Sequence, residues 1–248
     1  MSFITGKEAL NQLIEQANDT LTALEVKVSS RALSPEEAIG HPERQDFPLI
    51  TGKEILLQAD IQGCIGQAFT ADPISFRGTL GNLLKELTDR PGHQALAVAV
   101  LNALAKKLGL ASNTIHCINN EPEECARYIA EHLFSQHGAC KVGIIGYQPA
   151  LLEHCQARFG AENVRITDLN PKVIGQVRYG VEVWDGLKDT PKLVQFADVL
   201  LITGTVLANG TFGDILPVIG NKPYYFYGTT CAGLAALNRS NRLCPMSK

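Results

Sequence analysis

From Cys140 onward the chain repeats one pattern: a short, continuous apolar run, then a helix-like stretch, then another apolar run. The runs are KVGII, VRITD, VEVW, DVLLIT and YYFYG. A strand wetted on one face alternates apolar with polar residues. A strand apolar almost throughout must be covered on both faces, as in a parallel sheet joined by crossover helices. The intervening segments supply the helices. Pro149 opens one whose Leu152, Cys155 and Phe159 face inward, and Thr190-Pro191 reads as the N-cap and first residue of another. This part of the chain is expected to form a Rossmann-like α/β layer structure.

The earlier residues follow different rules. Leu10, Leu13, Ile14, Ala17 and Leu21 fall on one face of an amphipathic helix, and EVKVSS reads as a strand. Residues 34–48, with three prolines and several charges, read as a long surface loop. Strands are expected at Glu54–Ile61 and Cys64–Thr70, turned by Gln62-Gly63, then helices near 79–87 and 93–108, the second stopped by Gly109. Such a helix–strand–helix series is an α+β unit. A further helix runs from about Pro122 to Ser135, with Glu123 and Glu124 in its first turn and Gly138 at its end. The division that follows is an α+β domain at 1–120 and the parallel-sheet domain at 121–248.

Composition excludes several classes of function. Hydrophobic residues are 45% and charged residues 19%, which suits a packed core rather than a disordered chain. The net charge of −3, without a Lys/Arg run, gives no drive toward nucleic acid or anionic lipid. The longest apolar stretch, Ala95–Leu101, is far short of the roughly 20 residues of a membrane span. MSFITGKEAL has no basic segment followed by an apolar one, and the seven cysteines contain no C-x-x-C pair. The expectation is a cytoplasmic protein with reduced thiols.

In parallel α/β sheets ligands bind beyond the carboxyl ends of the strands, where strand order reverses. The first strand is followed by Gly146-Tyr147-Gln148-Pro149; with Gly143 this makes G-x-x-G, not a dinucleotide fingerprint. The second ends in Asp168-Leu169-Asn170-Pro171. Asp168 there suits a vicinal hydroxyl pair, or simply an Asx turn before the proline. The fourth ends in Thr203-Gly204-Thr205 and continues to Asn209-Gly210-Thr211, where glycines admit a ligand close to the backbone and hydroxyls and an amide donate hydrogen bonds. Thr211 with Asp214 also fits a capping box, and Asn209-Gly210 a turn. The fifth ends in Gly228-Thr229-Thr230-Cys231. Together these ends read as a polar, mostly neutral pocket with one carboxylate.

Walker, G-x-S-x-G and H-E-x-x-H motifs are missing, and the His132/His137/Cys140 spacings do not make a zinc site. Cys155 reads as a buried thiol and Cys231, at a strand end, as the best candidate for a reactive one, without a neighbouring base or cation. Trp184 either lines the cleft or caps the core. No catalytic nucleophile stands out.

Taken together, Gly143-Ile144-Ile145-Gly146-Tyr147-Gln148-Pro149, Asp168-Leu169-Asn170-Pro171, Asp198 to Thr205 with Asn209-Gly210-Thr211, and Tyr227-Gly228-Thr229-Thr230 resemble the heavy-metal chelation domain family, a family of unknown function. The first half is similar to that family's enolase N-terminal-like partner domain at Gly66-Gln67-Ala68-Phe69-Thr70, at Arg77-Gly78, and at Ala97 through Leu104. The resemblance implies an enolase N-terminal-like α+β domain followed by a Rossmann-like domain, with the active site between them. It also implies work on a small metal-chelating, pterin-, flavin- or siderophore-like metabolite, by condensation or hydrolysis.

On that footing Thr70, Arg77 and Asn102 join the strand-end residues as expected ligand contacts, Arg77 for an anionic group. A structural hydrogen bond is the competing role for the helix-embedded Asn102. The cofactor this reading allows is a divalent or heavy metal held through a bound chelator. The partners expected are a small molecule and, by default, a second copy of the chain in a homodimer. Two other readings stay open: a non-enzymatic carrier of a metal or metal chelate, and an S-adenosylmethionine-binding, methyltransferase-like protein with Asp168 on the ribose.

Overall fold

The computed structural model describes residues 3–4, 6–17, 27–52 and 54–248. The expected positions Leu21, Glu25 and Val26 lie outside them. The first helix, α1 (Gly6–Ala17), buries Leu10 and Leu13, two of the residues whose spacing predicts it. Four antiparallel strands form the first sheet: β1 (Lys27–Ala32), β2 (Ile55–Ile61), β3 (Cys64–Thr70) and β4 (Phe76–Thr79), in the order β3-β2-β1-β4. Gln62 and Gly63, with φ of 54° and 86°, make the tight β2–β3 turn that the dipeptide predicts.

Helices α3 (Leu80–Glu86) and α4 (Pro91–Lys107) follow. Residues Ala95–Ala105 of α4 are all buried, because the helix is covered on every side. It lies across β2 and β3 and is backed by α1 and by α10 (Ala232–Leu237) of the second half. The contact with β3 leaves no room for a side chain: a Cβ at Gly66 would come within 2.2 Å of the Ala103 backbone nitrogen.

After α5 (Glu121–His137) comes the second sheet, with β5 (Val142–Ile145), β6 (Val164–Asp168), β7 (Val177–Arg178), β8 (Val181–Asp185), β9 (Val199–Thr203), β10 (Tyr224–Tyr227) and β11 (Arg242–Leu243). Their order is β11-β10-β9-β5-β6-β8-β7, parallel except for the β7–β8 pair. Setting the edge hairpin strand β7 aside, this is the 3-2-1-4-5-6 order of dinucleotide-binding folds, with its switch point between β5 and β9. Both β7 and β11 are two-residue strands, too short to leave a hydrophobic signature in sequence. The connecting helices are α6 (Pro149–Phe159), α7 (Thr190–Phe196), α8 (Thr205–Ala208) and α9 (Phe212–Ile219).

Two local expectations are corrected. Residues 34–48 are not a bare surface loop. Ser34 caps a short helix, α2 (Pro35–Ile39), in a capping box with Glu37, and Phe47 and Leu49 are buried. Burying these two side chains contributes roughly 1.5–3 kcal/mol each, which holds the segment down. Thr190 is the first residue of α7 rather than its N-cap; its hydroxyl donates back to Gly186 O, and Asp189 occupies the cap position.

Each face of the second sheet shares its core with the first half. On one face, Leu200, Ile202 and Phe226 pack with α1, α4 and residues of β2. On the other, Ile144, Leu201 and Val183 pack with α5, α6 and with Ile39, Phe47, Leu49 and Leu56. Among the described residues no helix is long and apolar enough to cross a membrane.

Candidate functional site

The carboxyl ends of β5, β6, β9 and β10 open into a cavity of about 1030 Å³, closed from the other side by the 46–52 segment, Glu54 and the end of β3. The fold thus brings together most of the strand-end residues singled out in sequence. Gly146, Tyr147, Asp168 and Asn170 line the cavity, as do Thr203, Gly204, Thr205, Asn209 and Thr211. Gly228 and Thr230 complete that wall, and Thr70 reaches it from β3.

Five expected residues do not line it. Arg77 is exposed on the edge strand β4, so it cannot orient a ligand there. Pro149 is buried in the first turn of α6, and Gly210 turns the chain against Gln94. Thr229 is fully buried. Asn102 is also fully buried: its amide donates to Gln67 O at 2.9 Å and Thr230 O at 3.0 Å, and its oxygen accepts from Gly233 N at 2.7 Å. It ties α4 and β3 to the loop after β10, so its role is structural and sets the loop that carries Thr230. Trp184 stacks under Lys192 and lies outside the cavity.

Asp168 is fixed by backbone donors. One carboxylate oxygen accepts from Tyr147 N at 2.6 Å and the other from Asn170 N at 2.7 Å. The second bond is the Asx turn; each oxygen keeps a further lone pair for a ligand. Gly146 makes this possible. Its φ is 99°, and a Cβ there would lie 2.4 Å from the Thr203 side chain. Tyr227, at the end of β10, donates its hydroxyl proton to Gly146 O at 2.8 Å. Burial and the nearby negative charge of Asp168 raise its pKa well above the usual phenol range.

The hydroxyls are partly committed. Thr230 Oγ1 accepts from Phe69 N, stitching β3 to the second sheet, and Thr70 Oγ1 accepts from Asp72 N. Both act as acceptors, so their O–H protons remain to be given. The capping box expected at Thr211 does not form; its N–H and O–H both go to Asn209 Oδ1, leaving the Asn209 NH₂ group to offer. Thr167, on the same wall, is fully buried, and its hydroxyl has no partner.

The pocket is not the neutral one expected. Ile39, Phe47, Leu49, Phe69, Ile129 and Leu151 give it broad apolar walls, and Asp46, Glu54, Asp72 and Asp214 add carboxylates to Asp168. Glu54 matters most. Burial first, and the charge of Asp168 second, push its pKa up to about 7. A carboxyl from the first half therefore lines the same cavity as a carboxylate from the second, feels its charge, and exchanges a proton near neutrality. His116 is the opposite case. Burial pulls its pKa down to about 4, and the Nδ1–H tautomer is fixed by donation to Ala38 O, so it is a neutral ring beside Phe69.

The thiols also differ from expectation. Cys155 is fully buried, as its helix position predicts. Cys231 is fully buried too, with its pKa pushed up to about 12 by burial, so it is not the reactive thiol. Cys117, Cys125 and Cys244 line the cavity instead. Sequence reasoning missed them and Glu54 because each reaches the cavity from a segment without a motif: a loop, a helix face, the chain end and the start of a strand.

Residues 129–240 match the family model described as "DUF364: Putative heavy-metal chelation". A protein of unknown function from that family in Pyrococcus horikoshii shares 13% identity, with a TM-score of 0.51 over 90% of this chain and 79% of that one. Another from Desulfitobacterium hafniense DCB-2, also 13% identical, gives 0.52 over 74% of this chain and 72% of that one. At such identity these likenesses establish the fold. Comparison with curated proteins gave no match.

Proposed function

We propose, on the match of residues 129–240 to the DUF364 family model, that the protein is an enzyme acting on a small metal-chelating metabolite held between its two sheets. The observation that carries the reading is that Glu54 and Asp168 line one cavity, near enough for the charge of Asp168 to add to burial in raising the Glu54 pKa to about 7. A carboxyl that is half-protonated at neutral pH both takes and gives a proton, which condensation and hydrolysis each require. Asp168, held by two backbone N–H groups, accepts hydrogen bonds from ligand hydroxyl or amine groups. Thr70, Thr230 and Asn209 donate to ligand oxygens, and the buried Thr167 hydroxyl gains a partner when a ligand arrives. The apolar walls receive the ring or chain of such a molecule.

The heavy metal in the family's description does not fit a centre built from protein ligands here. Among the described residues no group of three or more His, Cys, Asp or Glu side chains gathers around one point. In this reading any metal comes as part of the chelate, and the proton chemistry belongs to Glu54. The missing G-x-G-x-G-type loop after β5 speaks against an S-adenosylmethionine site.

The test is native mass spectrometry of freshly purified protein, followed by a thermal-shift and turnover screen of chelating metabolites. The expected result is a ligand whose binding weakens about 10-fold or more in Asp168→Ala, by the 1.5–3 kcal/mol of a charged hydrogen bond. Glu54→Gln should keep binding and lose turnover. A ligand held equally well by Asp168→Ala, or turned over by Glu54→Gln, overturns the reading. Binding without turnover in the wild type favours the carrier instead.

A further inference from the structure

Three consecutive residues at the end of β6 carry the cavity wall from floor to mouth. Thr167 is fully buried with its hydroxyl unpartnered, Asp168 comes next, and Leu169 is 44% exposed. At the mouth Leu169 is joined by Leu187, 81% exposed on the turn after β8, and by Val218, 37% exposed on α9. Six large hydrophobic side chains are exposed among the described residues, and these are three of them. A single exposed leucine is ordinary, but half of the exposed set gathered at one cavity marks a binding surface. The lip is built into the fold. Gly186 N donates to Asp168 O at 2.8 Å and Leu187 N to Asp185 Oδ1 at 2.9 Å, which pins the β8 turn to the end of β6. Leu169 lies over Gly186, where a Cβ would come within 3.1 Å of the leucine Cδ2. Size points the same way. The cavity's 1030 Å³ exceeds the roughly 300–1,000 Å³ of ordinary small-molecule sites, so a compact polar head at the strand ends leaves room toward the lip.

We propose that the substrate is amphiphilic, with a polar head at Asp168 and Thr167 and an alkyl tail that leaves through the mouth across Leu169, Leu187 and Val218. The head rests on the carboxylate reading of the site; the tail does not. Continuity identifies the occupant. The three side chains share one cavity with the polar strand ends, so the molecule whose head is held there is the one that covers them. A wholly polar chelate would leave them in water. Methylenes laid on them leave water themselves, so affinity grows with tail length. Leu187 and Val218 thus set which chain length is accepted and take no part in the chemistry.

The test is calorimetric titration of the full-length protein with two probe series, alkyl hydroxamic acids from acetyl to decanoyl and primary amines from ethyl to decyl, below micelle-forming concentrations. The expected result is an affinity that climbs about 3- to 4-fold per added methylene in at least one series until the lip is covered. The Leu187→Ser, Val218→Ser double variant should flatten the climb. Leu110→Ser, at an exposed leucine outside the cavity, should keep it. Asp168→Ala should weaken all members by one common factor and keep the climb, so a wrong head and a wrong tail show separately. A climb that Asp168→Ala leaves untouched in every member supports the tail and sinks the carboxylate reading alone. No climb in either series, or no binding at any length, overturns the proposal. So does a climb that survives the double variant or is lost equally in Leu110→Ser. A wild type that sediments as a dimer, shows no climb and splits on Leu187→Ser overturns it in favour of a second copy of the chain over the lip.

Discussion

At the scale of single residues, Glu54 gives the sharpest expectation. Its pKa rises from 4.5 in an unfolded chain to about 7 in the fold, so the fold tolerates the protonated form and penalises the ionised one. The stability linked to this group is therefore complete below pH 4.5 and is lost as pH climbs to about 7. Glu54→Gln should remove that loss. Urea unfolding at pH 5 and pH 8 should show the wild type falling relative to the variant by an amount on the order of 2–3 kcal/mol. Parallel pH profiles would sink the assignment. Asp168→Asn should lower the Glu54 pKa, read by carbon NMR of the carboxyl, without restoring it to normal, because burial is the larger cause. Asn102 is the second residue-scale case. Asn102→Ala orphans Gln67 O, Thr230 O and Gly233 N in the core, and at roughly 1–3 kcal/mol per orphaned group it should cost more than about 3 kcal/mol. A loss under 1 kcal/mol in the same unfolding assay would mean that water replaces the amide.

At the scale of elements, the 40–52 segment forms a wall of the cavity, and Arg44 holds it. Its guanidinium pairs with Glu123 of α5 and Glu153 of α6 and donates to the Tyr179 hydroxyl. The arginine is only 17% exposed, but Glu153 is 41% exposed, so solvent screening discounts that arm. Arg44→Met should destabilise by about 1–2 kcal/mol and speed limited proteolysis within 40–52 ahead of any other site. Cleavage spread evenly over the chain would show that Phe47 and Leu49 suffice to hold the segment. The charges and prolines that make this stretch read as a surface loop are genuine. Its two buried apolar side chains are what the reading underweights, because two such residues in a polar stretch produce no periodicity.

At the scale of the whole molecule, both cores are built from both halves, and α4 is buried between the antiparallel sheet and helices of the parallel one. Heat or urea should therefore unfold the protein in one cooperative step, the same by far-UV circular dichroism and by Trp184 fluorescence. A piece comprising 121–248 alone would expose the faces that α4, Ile39 and Phe47 cover, and should be expanded and bind hydrophobic dye. Two separated transitions, or a well-packed isolated piece, would show that the halves are energetically independent.

The sequence by itself determined the parallel sheet, its helices and the strand ends at which a ligand would be met. Those follow from local rules: continuous apolar runs need cover on both faces, and a Gly–Thr-rich strand end admits close approach. It also carried the β2–β3 turn and the burial of Cys155. Only the tertiary structure decided that Glu54 and Asp168 line one cavity, that Cys125 and Cys244 line it too, and that Arg77 stands exposed outside it. Each of these depends on how two distant segments dock, and a lone carboxylate or thiol in its own segment has no period, cap or spacing to announce its partner. A pKa near 7 at Glu54 exists only once docking has removed water and brought a second negative charge close.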